Sequence, residues 1–90
     1  MEKTLEVTLK LFGALRSYSK EGVVKFLLAS PCSIEHLKEA LAEFLKSDSP
    51  KELREIISKS AIGNETEILQ EDTLLYKSTQ LAILPPVCGG

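Results

Sequence analysis

Residues 81–86, Leu81-Ala82-Ile83-Leu84-Pro85-Pro86, constrain the fold more than any other stretch of the chain. Four consecutive apolar residues predict a central strand buried on both faces, because a strand with one face in water alternates. The two prolines set where it ends. Each fixes φ at about −65° and lacks the N–H that a sheet ladder requires, so the strand stops at Leu84 and continues as an extended stalk. Its neighbours in the sheet must come from earlier in the chain.

Leu5, Val7, Leu9 and Leu11 alternate with Glu6, Thr8 and Lys10, which predicts a first strand with the leucines and valine on one face. The segment Phe12-Gly13-Ala14-Leu15-Arg16 breaks the alternation, and after Gly22 a second run, Val23 to Ala29, resumes it. The two runs predict a hairpin with a long connection. Ser33 is a good N-cap for a main helix with Ile34, Leu37, Leu41, Phe44 and Leu45 on one face and Glu35, Lys38, Glu39 and Glu43 away from it. Ser49-Pro50-Lys51-Glu52 reads as a capping box with proline at the first helical position, opening a shorter helix with apolar Leu53, Ile56 and Ile57. Ala61-Ile62, Glu67 to Leu69 and Gln80 to Leu84 predict short strands. The order is that of an α+β chain with the β-grasp, or ubiquitin-like, fold: a mixed sheet of about four to five strands packed on one main helix plus a short second helix. Residues 1–84 are expected to form this domain and residues 85–90 an extended reactive tail.

Ninety residues make one domain, large enough to bury a core without staples. Lys and Arg number 11 against 13 Asp and Glu, a net charge of −2, and the charges are interspersed with no basic stripe. Nucleic acid is therefore not an expected partner. The N-terminal residues show no apolar signal core, and no run approaches the roughly 18 apolar residues that span a bilayer, so no membrane partner and a cytoplasmic location are expected. The two cysteines, Cys32 and Cys88, read as reduced thiols in that compartment.

The chain given ends Val87-Cys88-Gly89-Gly90. With glycine at about 7% of ordinary composition, two glycines at a given place arise by chance in roughly one chain in two hundred, which favours a used end over a frayed one. Gly89 and Gly90, lacking a Cβ, pass through a channel too narrow for side chains. Six residues from Pro85 reach at most roughly 20 Å, and the prolines reduce the entropy lost when the tail docks. A terminal carboxylate, with a pKa of about 3.3–3.7, is ionised and unreactive at neutral pH and must first be activated, for example as an acyl-adenylate formed with ATP. The chain has neither a Gly-rich loop with Lys-Ser/Thr nor GxGxxG, so the activating enzyme is expected to be another protein.

Leu11-Phe12-Gly13-Ala14-Leu15-Arg16 and Leu81-Ala82-Ile83-Leu84-Pro85-Pro86-Val87-Cys88-Gly89-Gly90 resemble the small subunits of molybdopterin synthase, a family of ubiquitin-like sulfur carriers, and the resemblance runs along essentially the whole chain. The Pro-Pro-hydrophobic-x-Gly-Gly ending is its most specific part. Two features depart from the family pattern: Lys77-Ser78-Thr79-Gln80 stands where an Asp-Gly-type turn commonly precedes the last strand, and Leu84 where phenylalanine is often found. The resemblance implies a carrier whose active site lies on the large synthase subunit. An E1-like adenylyltransferase would use ATP and magnesium to adenylate Gly90, and this chain would bind no cofactor itself. A persulfide sulfur donor would then give a Gly90 thiocarboxylate, which donates sulfur to cyclic pyranopterin monophosphate in making the dithiolene of molybdopterin. Gly89 and Cys88 would share the passage of the tail, and Phe12, Leu84, Pro85, Pro86 and Val87 would bind partners in a heterotetramer of two small and two large subunits.

Plainer readings stand beside these. Phe12 and Leu84 are equally readable as core residues. Cys88 reads first as a small tail residue and second as a trap for the activated acyl group. Cys32 precedes a helix N-terminus, where a thiolate is favoured, yet packing is the simpler role. His36 lacks companions for a metal site, Glu65, Glu67, Glu71 and Asp72 read as a solvated stretch, and no catalytic dyad or triad can be assembled. Three alternatives to the molybdopterin pathway remain open at this level: a carrier for thiazole or cysteine synthesis, a ubiquitin-like protein modifier, and a β-grasp interaction module without tail chemistry.

Overall fold

The computed structural model describes residues 3–45 and 47–86. Alternation in the first segment becomes strand β1, Thr4–Leu11, whose odd-numbered residues Leu5, Val7, Leu9 and Leu11 are buried. Gly13 takes φ +59° at the start of a 3-10 helix over Gly13–Tyr18, and Gly22 takes φ +73° where the chain turns back, conformations in which a Cβ is disfavoured. Strand β2, Val23–Ala29, then pairs antiparallel with β1. A two-residue strand β3, Cys32–Ser33, leads into helix α1, Ile34–Phe44, and helix α2 covers Pro50–Lys59. Strands β4 (Ala61–Gly63), β5 (Ile68–Leu69), β6 (Leu74–Leu75) and β7 (Thr79–Leu84) follow.

Among the described residues five strands form the main sheet in the order β2-β1-β7-β4-β5, with β1 and β7 parallel, while β3 and β6 form a separate pair. The late apolar strand is thus central, as expected, with β1 on one side and β4 on the other. Its burial differs from expectation. Leu81 and Ile83 are buried, whereas Ala82 is half-buried and Leu84 is 40% exposed, because the buried cluster lies on one face of the sheet and the other face is open. Ile34, Leu37 and Leu41 of α1 and Leu53 and Ile57 of α2 close the covered face. Each such side chain contributes roughly 1.5–3 kcal/mol on burial.

Local details correct the sequence reading at three further places. Ser33 does cap α1, its hydroxyl accepting from the His36 N–H at 3.0 Å, but Ser49 makes no side-chain cap and α2 opens on Pro50 alone. The second helix is the shorter one, as expected, by a single residue: ten in α2 against eleven in α1. Lys38 is not on a solvated face: it is 8% exposed, and its ammonium donates to Glu71 at 2.7 Å. Glu71 keeps a side chain 54% exposed, as expected of the solvated acidic stretch, while making this ion pair. Its backbone carbonyl and that of Thr73 also accept from the first α1 amides, Glu35 and Ile34, each at 3.0 Å, so residues 71–73 hold the helix N-terminus from outside. Phe44, placed in the core by its helical spacing, is 49% exposed and stacks on Phe26 with ring centroids 5.4 Å apart.

Candidate functional site: the rim where the last strand ends

Parallel pairing of β1 with β7 brings two chain segments to one end of the sheet. Leu11 is the partner of Ile83 and both face the core, so the next residues, Phe12 and Leu84, turn to the open face at the same end. They are 43% and 40% exposed, which removes the core reading for both. Antiparallel pairing places Ala61 opposite Leu84, extending the row onto β4. Pro85 follows, half-buried, and Pro86 is exposed.

The stalk leaves against the 3-10 turn. A Cβ on Gly13 would stand 3.3 Å from Pro85 Cγ, and the positive φ of Gly13 adds strain to any side chain there. The glycine therefore lets the stalk lie close to the turn. The segment Leu11-Phe12-Gly13-Ala14-Leu15-Arg16 carries no local sign of this role, and the proline stalk is its signal in the sequence.

Behind the rim, the open face carries a groove of about 480 Å³ lined by Thr8, Lys10, Phe12, Val23, Gln80 and Ala82 among others. Lys10 pairs in register with Val23 on one side and Ala82 on the other, so its ammonium stem rises from an otherwise apolar row. Among the described residues neither Lys10 nor Lys25 forms an ion pair. The strict alternation of β1 already put Lys10 opposite the buried leucines, a signal that sequence reasoning left unused. Across the row, Gly63 allows β4 to turn tightly: a Cβ there would meet the Glu67 carbonyl at 2.8 Å. Asn64 builds that turn, its side-chain oxygen accepting from the Thr66 and Glu67 amides at 2.8 Å each.

The other singled-out groups lie elsewhere. Cys32 is buried, and burial pushes its thiol pKa above the ordinary value, so the nearby helix N-terminus does not make it a thiolate. His36 is exposed on α1. Among the described residues no group of three or more His, Cys, Asp or Glu is arranged to hold a metal ion, and no helix is long and apolar enough to cross a membrane. Val87, Cys88, Gly89 and Gly90 lie outside the described residues.

The architecture is ubiquitin-like. The crystal structure of the UBL domain of Plasmodium falciparum Dsk2 matches it with a TM-score of 0.57, covering 93% of this chain and 100% of that one at 13% identity, a likeness of fold alone. No protein-family model matches the chain. In sequence it is 39% identical over 89 residues to the molybdopterin synthase sulfur carrier subunit of Synechococcus elongatus, covering 97% of this chain and 99% of the relative. The chain belongs to the molybdopterin synthase sulfur carrier subunit family.

Proposed function

We propose that this protein carries sulfur on the carboxyl group of Gly90 and delivers it within a molybdopterin synthase. The observation that carries the reading is the likeness to a sulfur carrier subunit over nearly the full length of both chains. The open-face rim at the end of β7 supports it, since it offers apolar surface beside the point from which the tail departs.

In this reading the Gly90 carboxylate attacks the α-phosphate of ATP on an E1-like adenylyltransferase, which supplies the magnesium, and pyrophosphate leaves. The terminal sulfur of a persulfide donor then displaces AMP to give an acyl disulfide, and a second thiol attacks the donor's inner sulfur, breaking the S–S bond to release the thiocarboxylate and leaving the donor as a disulfide. The loaded tail enters the large synthase subunit, where successive thiocarboxylates supply the two sulfurs of the dithiolene made from cyclic pyranopterin monophosphate. This chain contributes handling. Phe12 and Leu84 dock on each partner in turn, Pro85 and Pro86 preorganise the stalk, and Gly89 with Cys88 threads the channel. Two carriers and two large subunits make the working assembly.

Docking and threading separate by substitution. Phe12→Ser and Leu84→Ser change exposed side chains, so the melting temperature should stay nearly unchanged while the Kd for both partners rises at least about tenfold. Gly89→Val should leave the domain folded and docked but stop adenylation and transfer. Normal turnover by the valine variant would remove the narrow-channel argument, and unchanged affinity in the serine variants would remove the rim.

A further inference from the structure

Strand β2 is an edge of the main sheet, and the hydrogen bonding of its inner side fixes what its outer side offers. The Leu11 N–H donates to the Gly22 carbonyl at 2.8 Å, and the Ser30 N–H donates to the Lys3 carbonyl at 3.0 Å. In the register between these points Leu9 faces Val24, Val7 faces Phe26 and Leu5 faces Leu28. Hydrogen-bonded pairs recur at every second residue of an antiparallel ladder. Val24, Phe26 and Leu28 therefore direct their backbone groups to β1, and Val23, Lys25, Leu27 and Ala29 direct theirs away from the sheet, where the Val23 carbonyl already accepts from the Ser19 hydroxyl at 2.9 Å. Along the same edge Leu27 is 67% exposed on the open face, and Phe44, stacked on Phe26, is 49% exposed beneath it.

An edge of this kind accepts a strand. We infer that a second copy of this chain pairs its own β2 here, antiparallel, about a two-fold axis at Phe26. Phe26 is the midpoint of Val23–Ala29, so this register sets Lys25 opposite Leu27 of the second copy and Val23 opposite Ala29, and every outward backbone group of the strand is paired. It also sets the charges. Glu6 is the β1 partner of Leu27, so the open-face row across the junction reads Thr8, Lys25, then Leu27 and Glu6 of the second copy. Two strand spacings, about 10 Å, separate Lys25 from that Glu6. The lysine stem covers the exposed leucine and its ammonium reaches the carboxylate, twice by symmetry. Neither Lys25 nor Glu6 has an ion pair among the described residues of one copy.

Neighbouring registers are worse. Centring on Lys25 opposes the two lysines directly and leaves Ala29 unpaired, and centring on Leu27 leaves the Val23 N–H unpaired and puts Glu6 at both ends of the row. Lys25 thus acts as a gatekeeper that permits one register. The pairing uses the edge two strands away from β7 and leaves the Phe12–Leu84 rim open.

The test is sedimentation of the full chain from about 10 μM to about 1 mM, the range suited to an interface smaller than the standard of about 1,200 Å², with amide hydrogen exchange on the same samples. The expected result is a monomer–dimer equilibrium in which Val23, Lys25, Leu27 and Ala29 gain protection with concentration. Glu6→Lys or Lys25→Glu alone should raise the dimer Kd at least about tenfold, and the two together should restore it. Phe12→Ser should leave it unchanged. A monomer throughout the range, protection confined to another surface, or a charge swap that fails to rescue would each overturn the inference. The exchange pattern on the unaltered chain decides even if a variant misfolds.

Discussion

Cys32 shows how one buried group reports on the state of the whole chain. It is 2% exposed, and burial holds its pKa above the ordinary thiol value of 9.0, so the folded state binds the proton more tightly than the unfolded one. The sign follows from linkage: the stabilisation is present below the ordinary thiol pKa and is lost as pH rises past it. In a Cys88→Ser background, native Cys32 should therefore resist alkylation near neutral pH and react at the rate of a free thiol once urea unfolds the chain, as followed by mass spectrometry. Rapid modification under native conditions would contradict the burial. The sequence offered two roles for this residue, a thiolate before a helix N-terminus and a packed thiol, and the structure bears out the packed one. Phe12 and Leu84 each follow a buried residue, Leu11 and Ile83, and so turn to the open face, but an apolar residue next to an apolar one carries no signature of exposure in the sequence.

Between elements, the Lys38–Glu71 bridge fastens α1 to the segment that precedes β6. Lys38 has a nearly buried side chain while that of Glu71 is 54% exposed, so Glu71 recovers solvation when its partner is removed. The lysine stem should then matter as much as its charge. Lys38→Met, which keeps the packing, should cost less than about 1 kcal/mol in urea unfolding, and Lys38→Ala about 1–2 kcal/mol more. Equal losses would show that the ion pair dominates. Most longer elements were legible because their periods are long enough to count: β1 and β2 by alternation, α1 by its apolar face and the Ser33 cap, α2 by Pro50. The pair β3–β6 was not, because two residues carry no period. The four apolar residues of β7 suggested burial on both faces, but helices cover one face only, and Leu84 stands exposed on the other.

For the molecule as a whole, the fold acts as a holder. A sheet covered on one side leaves its other side open, and the parallel β1–β7 pairing at its centre anchors the strand that leads into the Pro85-Pro86 stalk. The β-grasp order and the sulfur-carrier family were both legible in the sequence, the first from element order and the second from the Pro-Pro-x-x-Gly-Gly ending. What the sequence could not supply was the rim, which depends on parallel register between segments some seventy residues apart, for example Leu9 with Leu81. Long-range register of this kind leaves no local pattern.

The central claim is that Gly90 carries sulfur, and intact and C-terminal peptide mass spectrometry tests it most directly. The protein would be incubated with ATP, magnesium, its E1-like enzyme and a persulfide donor. The account predicts the mass gain of one oxygen replaced by sulfur, located on Gly90 and abolished by Gly89→Val. An unmodified carboxylate after that incubation, or sulfur found on Cys88 instead, would contradict it.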